Sequence, residues 1–176
     1  MVHMGLLEKV VKYNPAEKVG TNEKYAIKSV WKCQFNDKDK LGYLKQEIDI
    51  LSIIDHDNCI KCYHIYEDNL SIHFVFELIK GGDLLEHLMT AQDHILPENQ
   101  AQEFLIQILD AIQYLHSINI IHRDIKPENF MISFSERGVR LKLIDFGFAA
   151  FIVENRKMYD IVGSQQYMAP EMIKTY

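Results

Sequence analysis

The sequence predicts an α+β chain in two lobes, a small strand-rich one followed by a helical one. Three observations support this. Residues 25–31 and 71–79 have the β-branched and aromatic content of strands. Residues 41–54 and 97–117 repeat apolar side chains at three- and four-residue intervals, as helices do. Gly81, Gly82 and Asp83 break the second strand-like run where the composition changes, so the lobes should meet near Lys80–Asp83.

In "YAIKSVW" (25–31), a period of two places Ala26, Lys28 and Val30 on one face and Tyr25, Ile27 and Trp31 on the other. The helix over 41–54 has its stripe at Leu44, Ile48 and Leu51, flanked by Glu47. "SIHFVFELI" (71–79) is a nearly continuous apolar run, which predicts a strand buried on both faces. The helix over 97–117 starts with Pro97 in its first turn and aligns Phe104, Ile108, Ile112 and Leu115. Beyond it, "FMISF" and "VRLKLI" read as a hairpin joined by "SERG", with Gly138 available for a positive φ.

Length and composition narrow the function. The 176 residues suffice for one core, and 48% apolar with 25% charged residues is ordinary for a globular protein. A formal net charge of −6 argues against nucleic acid as a partner. No apolar run is long enough to span a bilayer, and the start lacks the features of a secretory signal, so a cytoplasmic protein with no membrane partner is expected. Cys59 and Cys62 form a C-x-x-C near His56 and His64, but no second ligand pair follows, and they read as buried thiols. Cys33 completes an odd set that gives no disulfide framework.

The stretch "IIHRDIKPENFMI" (120–132) crowds charges between apolar flanks, where charges need a partner or a chemical role. "HRDIKPEN" (122–129), "DFG" (145–147), "YAIK" (25–28) and "APE" (169–171) stand in an order that resembles the eukaryotic protein kinase family. The resemblance implies the two-lobed kinase fold and transfer of the γ-phosphate of ATP, with Mg²⁺, to protein substrates. Such a transfer needs charge neutralisation and alignment more than covalent help.

Asp124 would accept the substrate hydroxyl's proton and Lys126 would meet the γ-phosphate. Asn129 and Asp145 would offer oxygen to the metal. Lys28 would hold the α- and β-phosphates, aimed by Glu47. By matched position, Val11, Ala26 and Met131 would sandwich the adenine, the backbone at Glu77 and Ile79 would bond its edge, and Asp83 would meet the ribose. Phe76 would close the pocket behind the adenine. Leu51, Cys62, His122 and Phe146 match a stacked spine and read equally well as core. Lys126-Pro127-Glu128 is similar to the serine/threonine branch, so the expected partners are proteins with Ser or Thr acceptors.

The activation segment, 157–171, is similar to that of the calcium-dependent and calmodulin-kinase group. It puts Asp160 where many kinases carry a phosphorylatable Thr, as a standing partner for Arg123. Ser164 keeps the hydroxyl that meets the catalytic Asp and Lys, and Glu171 closes the segment.

Two departures shape the expectation. The glycine-rich loop due ahead of Val11 is not matched by "MVHMGLLEKVV", and the helices that follow "APE" in the family are not in the chain. The reading is a single partial kinase domain, with a β-rich lobe over about 1–79 and an incomplete helical lobe over about 80–176. An apolar face of the 97–117 helix should then be left uncovered. The alternative function is a pseudokinase-like module that binds a partner without transferring phosphate. No EF-hand pattern is present.

Overall fold

A computed structural model describes residues 12–35, 37–135, 138–154, 157–158 and 160–173. Val11 and the stretch that would carry the glycine-rich loop lie outside these residues. The first lobe is an antiparallel sheet in the order β1-β2-β4-β3, made of β1 (Lys12–Glu17), β2 (Lys24–Trp31), β3 (Cys62–Glu67) and β4 (Ser71–Glu77). Helix α1 (Lys38–Ile53) lies between β2 and β3 in the chain. Pro15, which cannot donate to a ladder, sits on the edge strand β1, where that costs least. Lys28 and Val30 are buried on the predicted inner face of β2, while Trp31 is exposed.

Strand β4 corrects one expectation. Its inner residues Phe74 and Phe76 are buried, but His73, Val75 and Glu77 on the other face are only half-buried. That outer face is held by polar contacts, with His73 bonded to Ser29 Oγ at 2.8 Å and to Asp68 Oδ2 at 2.9 Å. The strand also stops at Glu77, so Leu78 and Ile79 belong to the connector between the lobes.

The second lobe holds α2 (Leu84–Thr90), α3 (Glu98–Ser117), β5 (Ile120–Ile121), the hairpin β6–β7 (Phe130–Ser135 and Gly138–Leu143), β8 (Ala150–Phe151) and α4 (Pro170–Ile173). Gly138 takes the expected positive φ, 110°. Pro97 is the cap of α3, just ahead of its first turn. Phe104, Ala111 and Leu115 bury one face of α3, while Leu105, Ile106 and Leu109 on another are each more than half exposed. No helix among the described residues is long and apolar enough to cross a membrane.

Burial of the cysteines is less uniform than expected. Cys59 is buried, and desolvation pushes its thiol up to about 12, whereas Cys62 is half-buried and Cys33 exposed. Among the described residues, no cluster of three His, Cys, Asp or Glu side chains is placed to hold a metal.

The two lobes are joined behind the cleft by the loop between α1 and β3. Leu143 N–H donates to Asn58 O (2.8 Å), and Ile60 N–H donates to Leu143 O (2.9 Å). The Asn58 amide donates to Leu141 O (2.9 Å) and to Gln107 Oε1 (3.0 Å). The loop after α1 is thereby fastened to β7 and α3.

Candidate active site

The segment 122–129 runs between β5 and β6 as a loop stitched from both sides. Buried His122 donates from Nε2 to Ile144 O (3.1 Å) and accepts the Asp124 N–H on Nδ1 (3.3 Å), so both ring nitrogens are used by the neutral form. Desolvation lowers its pKa, in keeping with that state. Its ring meets Phe146 edge-on, centroids 5.0 Å apart, and Leu51 is buried in the same core. Asn129 O accepts from Ile144 N–H (2.8 Å), a second tie to the Asp145 turn. Arg123 supplies a third, its Nε donating to Phe148 O at 2.6 Å.

Arg123 and Asp145 both sit in the left-handed region, at φ 68° and 58°. That conformation is unusual for a residue with a Cβ and persists where surrounding bonds over-determine it. Here the three ties between the two loops do so.

Asp124 is 6% exposed and is held from three directions. Lys126 Nζ lies 3.0 Å from Oδ2, the Asn129 amide donates to the same oxygen at 2.9 Å, and Ser164 N–H donates to Oδ1 at 2.9 Å. Lys126 also donates to Ser164 Oγ (2.8 Å). Burial alone would raise the carboxyl's pKa, but the bonds from Lys126, Ser164 and Asn129 outweigh it and hold it below the ordinary range. Asp124 is therefore ionised at neutral pH.

Across the cleft, Lys28 Nζ is 2.8 Å from Glu47 Oε1, and both side chains are more than nine-tenths buried. The same ammonium lies 3.6 Å from Asp145 Oδ1. This small-lobe lysine thus reaches α1 and the Asp145 turn at once. Beside this pair and Asp145, the side chains of Phe76, Leu51, Ile60, Ile144 and Phe146 line a cavity of only about 10 Å³.

Of the positions expected to meet nucleotide, Ala26 and Met131 pack on the core, and Ile79 is buried. Asp83 forms a backbone bridge with Met131, and its carboxylate accepts from Glu86 N–H (2.8 Å) as the N-cap of α2. Gly81 allows the connector to dock here, since a Cβ would overlap Ile132 O, whose lone pair accepts the Gly81 N–H at 3.0 Å.

In the activation segment, Asp160 Oδ2 reaches Arg123 at 3.3 Å, and Glu171 sits exposed in α4. The sequence reading missed two contacts here, the Tyr167 hydroxyl donating to Glu128 (3.1 Å) and the tie from Arg123 to Phe148 O. Neither has a local signal, since the partners are 39 and 25 residues apart.

The residues fit a hard divalent cation. The Asn129 amide nitrogen is engaged by two acceptors, Asp124 O (2.7 Å) and Oδ2, which leaves its carbonyl oxygen pointing away from them. The Asp145 side chain is 44% exposed to the cleft. One amide and one carboxylate oxygen are few ligands, as suits Mg²⁺, which keeps waters and binds substrate phosphates.

The family model for the protein kinase domain matches residues 9–176. The chain belongs to the protein kinase family. It is similar to calcium-dependent protein kinase 21 of Arabidopsis thaliana, with 38% identity over 159 residues, 90% of this chain and 30% of that protein. It is also similar to calcium-dependent protein kinase 5 of Plasmodium berghei, with 38% identity over 154 residues, 88% of this chain and 26% of that protein. The identity with CDPK-related kinase 8 of Arabidopsis thaliana is 35%, over 84% of this chain and 24% of that protein. The chain thus spans less than a third of the length of these kinases.

Proposed function

We propose that this kinase chain transfers the γ-phosphate of ATP to serine or threonine hydroxyls of protein substrates. The observation that carries the reading is the Asp124–Lys126–Ser164–Asn129 cluster, a buried carboxylate kept ionised and aimed beside a lysine. In the transfer, the acceptor hydroxyl oxygen bonds to the γ-phosphorus as the bond to the β–γ bridging oxygen breaks. The hydroxyl proton passes to an oxygen of Asp124, and ADP leaves. Lys126 is placed to follow the charge on the moving phosphoryl group, and Lys28, oriented by Glu47, to hold the phosphates that stay behind. Asn129 and Asp145 would hold Mg²⁺, which neutralises phosphate charge when bound.

The preference for serine and threonine rests on Lys126-Pro127-Glu128. The test is phosphate incorporation from labelled ATP into a peptide library, followed by phosphoamino-acid analysis. D124N should abolish transfer while nucleotide still binds. Transfer that survives D124N, or an unmodified protein that binds ATP and transfers nothing, would sink the reading.

A further inference from the structure

We propose that Ser29, on the outer face of the small-lobe sheet, is an acyl-acceptor site, its hydroxyl activated by His73 and Asp68 toward activated esters and thioesters. None of the three residues takes part in the phosphate transfer proposed above. Ser29 stands on β2 with His73 directly opposite it on β4. Their chain neighbours Lys28 and Phe74, also paired across the ladder, are buried on the other face of the sheet, so the group is separate from the cleft.

Ser29 Oγ lies 2.8 Å from His73 Nδ1, and His73 Nε2 lies 2.9 Å from Asp68 Oδ2. Asp68 is fixed in turn, because its Oδ1 accepts the N–H groups of Leu70 and Ser71, both at 2.7 Å, between β3 and β4. The bond from His73, with those from Leu70 and Ser71, pulls its carboxyl down to about 2. An ionised carboxylate only accepts, so in the neutral ring Nε2 carries the proton and Nδ1 is the base. The Ser29 hydroxyl then donates to Nδ1. A contact that merely held two strands together would be satisfied by either tautomer, whereas the carboxylate selects the one that leaves a base beside the hydroxyl. A nucleophile within reach of a base that is oriented by a third group is the arrangement that activates a hydroxyl.

Ser29 is half-buried and the His73 side chain is 30% exposed, so a small ester can reach them. In the step, Ser29 Oγ bonds to the carbonyl carbon of the ester as its proton passes to His73 Nδ1. The leaving group departs with the electron pair of the broken bond, and His73 releases the proton to water. At Ser29, β2 is paired to β1 and to β4, and backbone N–H groups committed to ladders cannot hold an oxyanion. The reaction is therefore stoichiometric, leaving a Ser29 ester, without turnover.

The test treats the natural polypeptide with p-nitrophenyl acetate and follows acetyl groups by peptide mass. Ser29 should be acetylated faster than any other serine. H73Q, which has no base to offer, should slow Ser29 acetylation about 10²- to 10⁴-fold and leave lysine acetylation unchanged. D68N keeps an oxygen for the Leu70 and Ser71 N–H groups, while its amide nitrogen would donate to His73 Nε2. That moves the ring proton to Nδ1, so Ser29 acetylation should slow with the fold intact. NMR of the His73 ring nitrogens should find the proton on Nε2 in the original and on Nδ1 in D68N.

Ser29 acetylated no faster than the other serines, or at the same rate in H73Q, would overturn the site. If H73Q fails to fold, D68N decides on the same measurements: unchanged acetylation of Ser29 would overturn the site, and a slowed rate with the ring proton moved to Nδ1 would support it.

Discussion

Gly163 lies against the carbonyl oxygen of Arg123 so closely that no side chain fits between them. Its φ is +102°, a region that L side chains rarely adopt. The consequence falls on the next residue, because this approach sets Ser164 N–H on Asp124 Oδ1 and Ser164 Oγ on Lys126.

The first prediction concerns that contact. G163A should cost about 1–3 kcal/mol, from the positive φ and the overlap together, and should cut kcat through displacement of Ser164. Urea unfolding and steady-state kinetics would check it. A G163A protein as stable and as active as the original would contradict the geometry.

The buried pair of Lys28 and Glu47 leads to the second. Removing one partner of a buried ion pair typically costs about 3–5 kcal/mol. E47A should fall toward the low end, since Asp145, 3.6 Å away, still faces the stranded ammonium. Nucleotide affinity should drop with it, and denaturation beside nucleotide titration would show both. E47A at full stability would mean that the pair is open to water.

A third prediction is the acid side of the stability curve. Asp124 is lowered in the folded state, so its contribution is fully present above the unfolded carboxylate value, about 3.9, and is lost as pH falls through its lower folded pKa. His122, lowered by burial, adds stability that is fully present above about 6.5 and fades as pH falls further. D124N should remove the first component and leave His122 lowered further, because the Asp124 charge raises the His122 pKa. The stability gap between D124N and the original should shrink as pH falls below about 5. A gap that is flat down to about pH 3 would show that Asp124 is not lowered.

The fourth contrasts the two partners of Arg123. The pair with Asp160 is exposed on the acidic side, 59%, and such pairs contribute about 0–1 kcal/mol. D160N should therefore have a small, salt-sensitive effect on activity. R123M should be the more damaging change, because it also removes the tie to Phe148 O that orders the turn after Asp145. Equal effects of the two substitutions would show that the Phe148 contact contributes nothing.

Much of the site was legible because its members are close in the chain. Asp124, Lys126 and Asn129 lie within six residues on one loop, and local spacing alone brings them together. Asp145, Lys28 and Glu47 were found through motif and helix periodicity. The misses have physical reasons. Strand β1 contains Pro15 and polar residues, and β3 mixes Tyr and His with no clean alternation, so neither announces itself as a strand. The run over 71–79 looked buried on both faces because apolar content reports hydrophobicity, whereas burial depends on what packs there.

The sequence by itself determined the family, the order of the elements and the polar residues proposed to meet phosphate and hydroxyl, because those follow from residue type and short spacing. Only the tertiary structure decided the partners that no motif names: Tyr167 on Glu128, Arg123 on Phe148 and Lys142 on Glu77. A side-chain hydrogen bond needs its partner within about 3 Å and in line. Over separations of 25 to 65 residues, that proximity is set by where the chain returns, which no local pattern encodes.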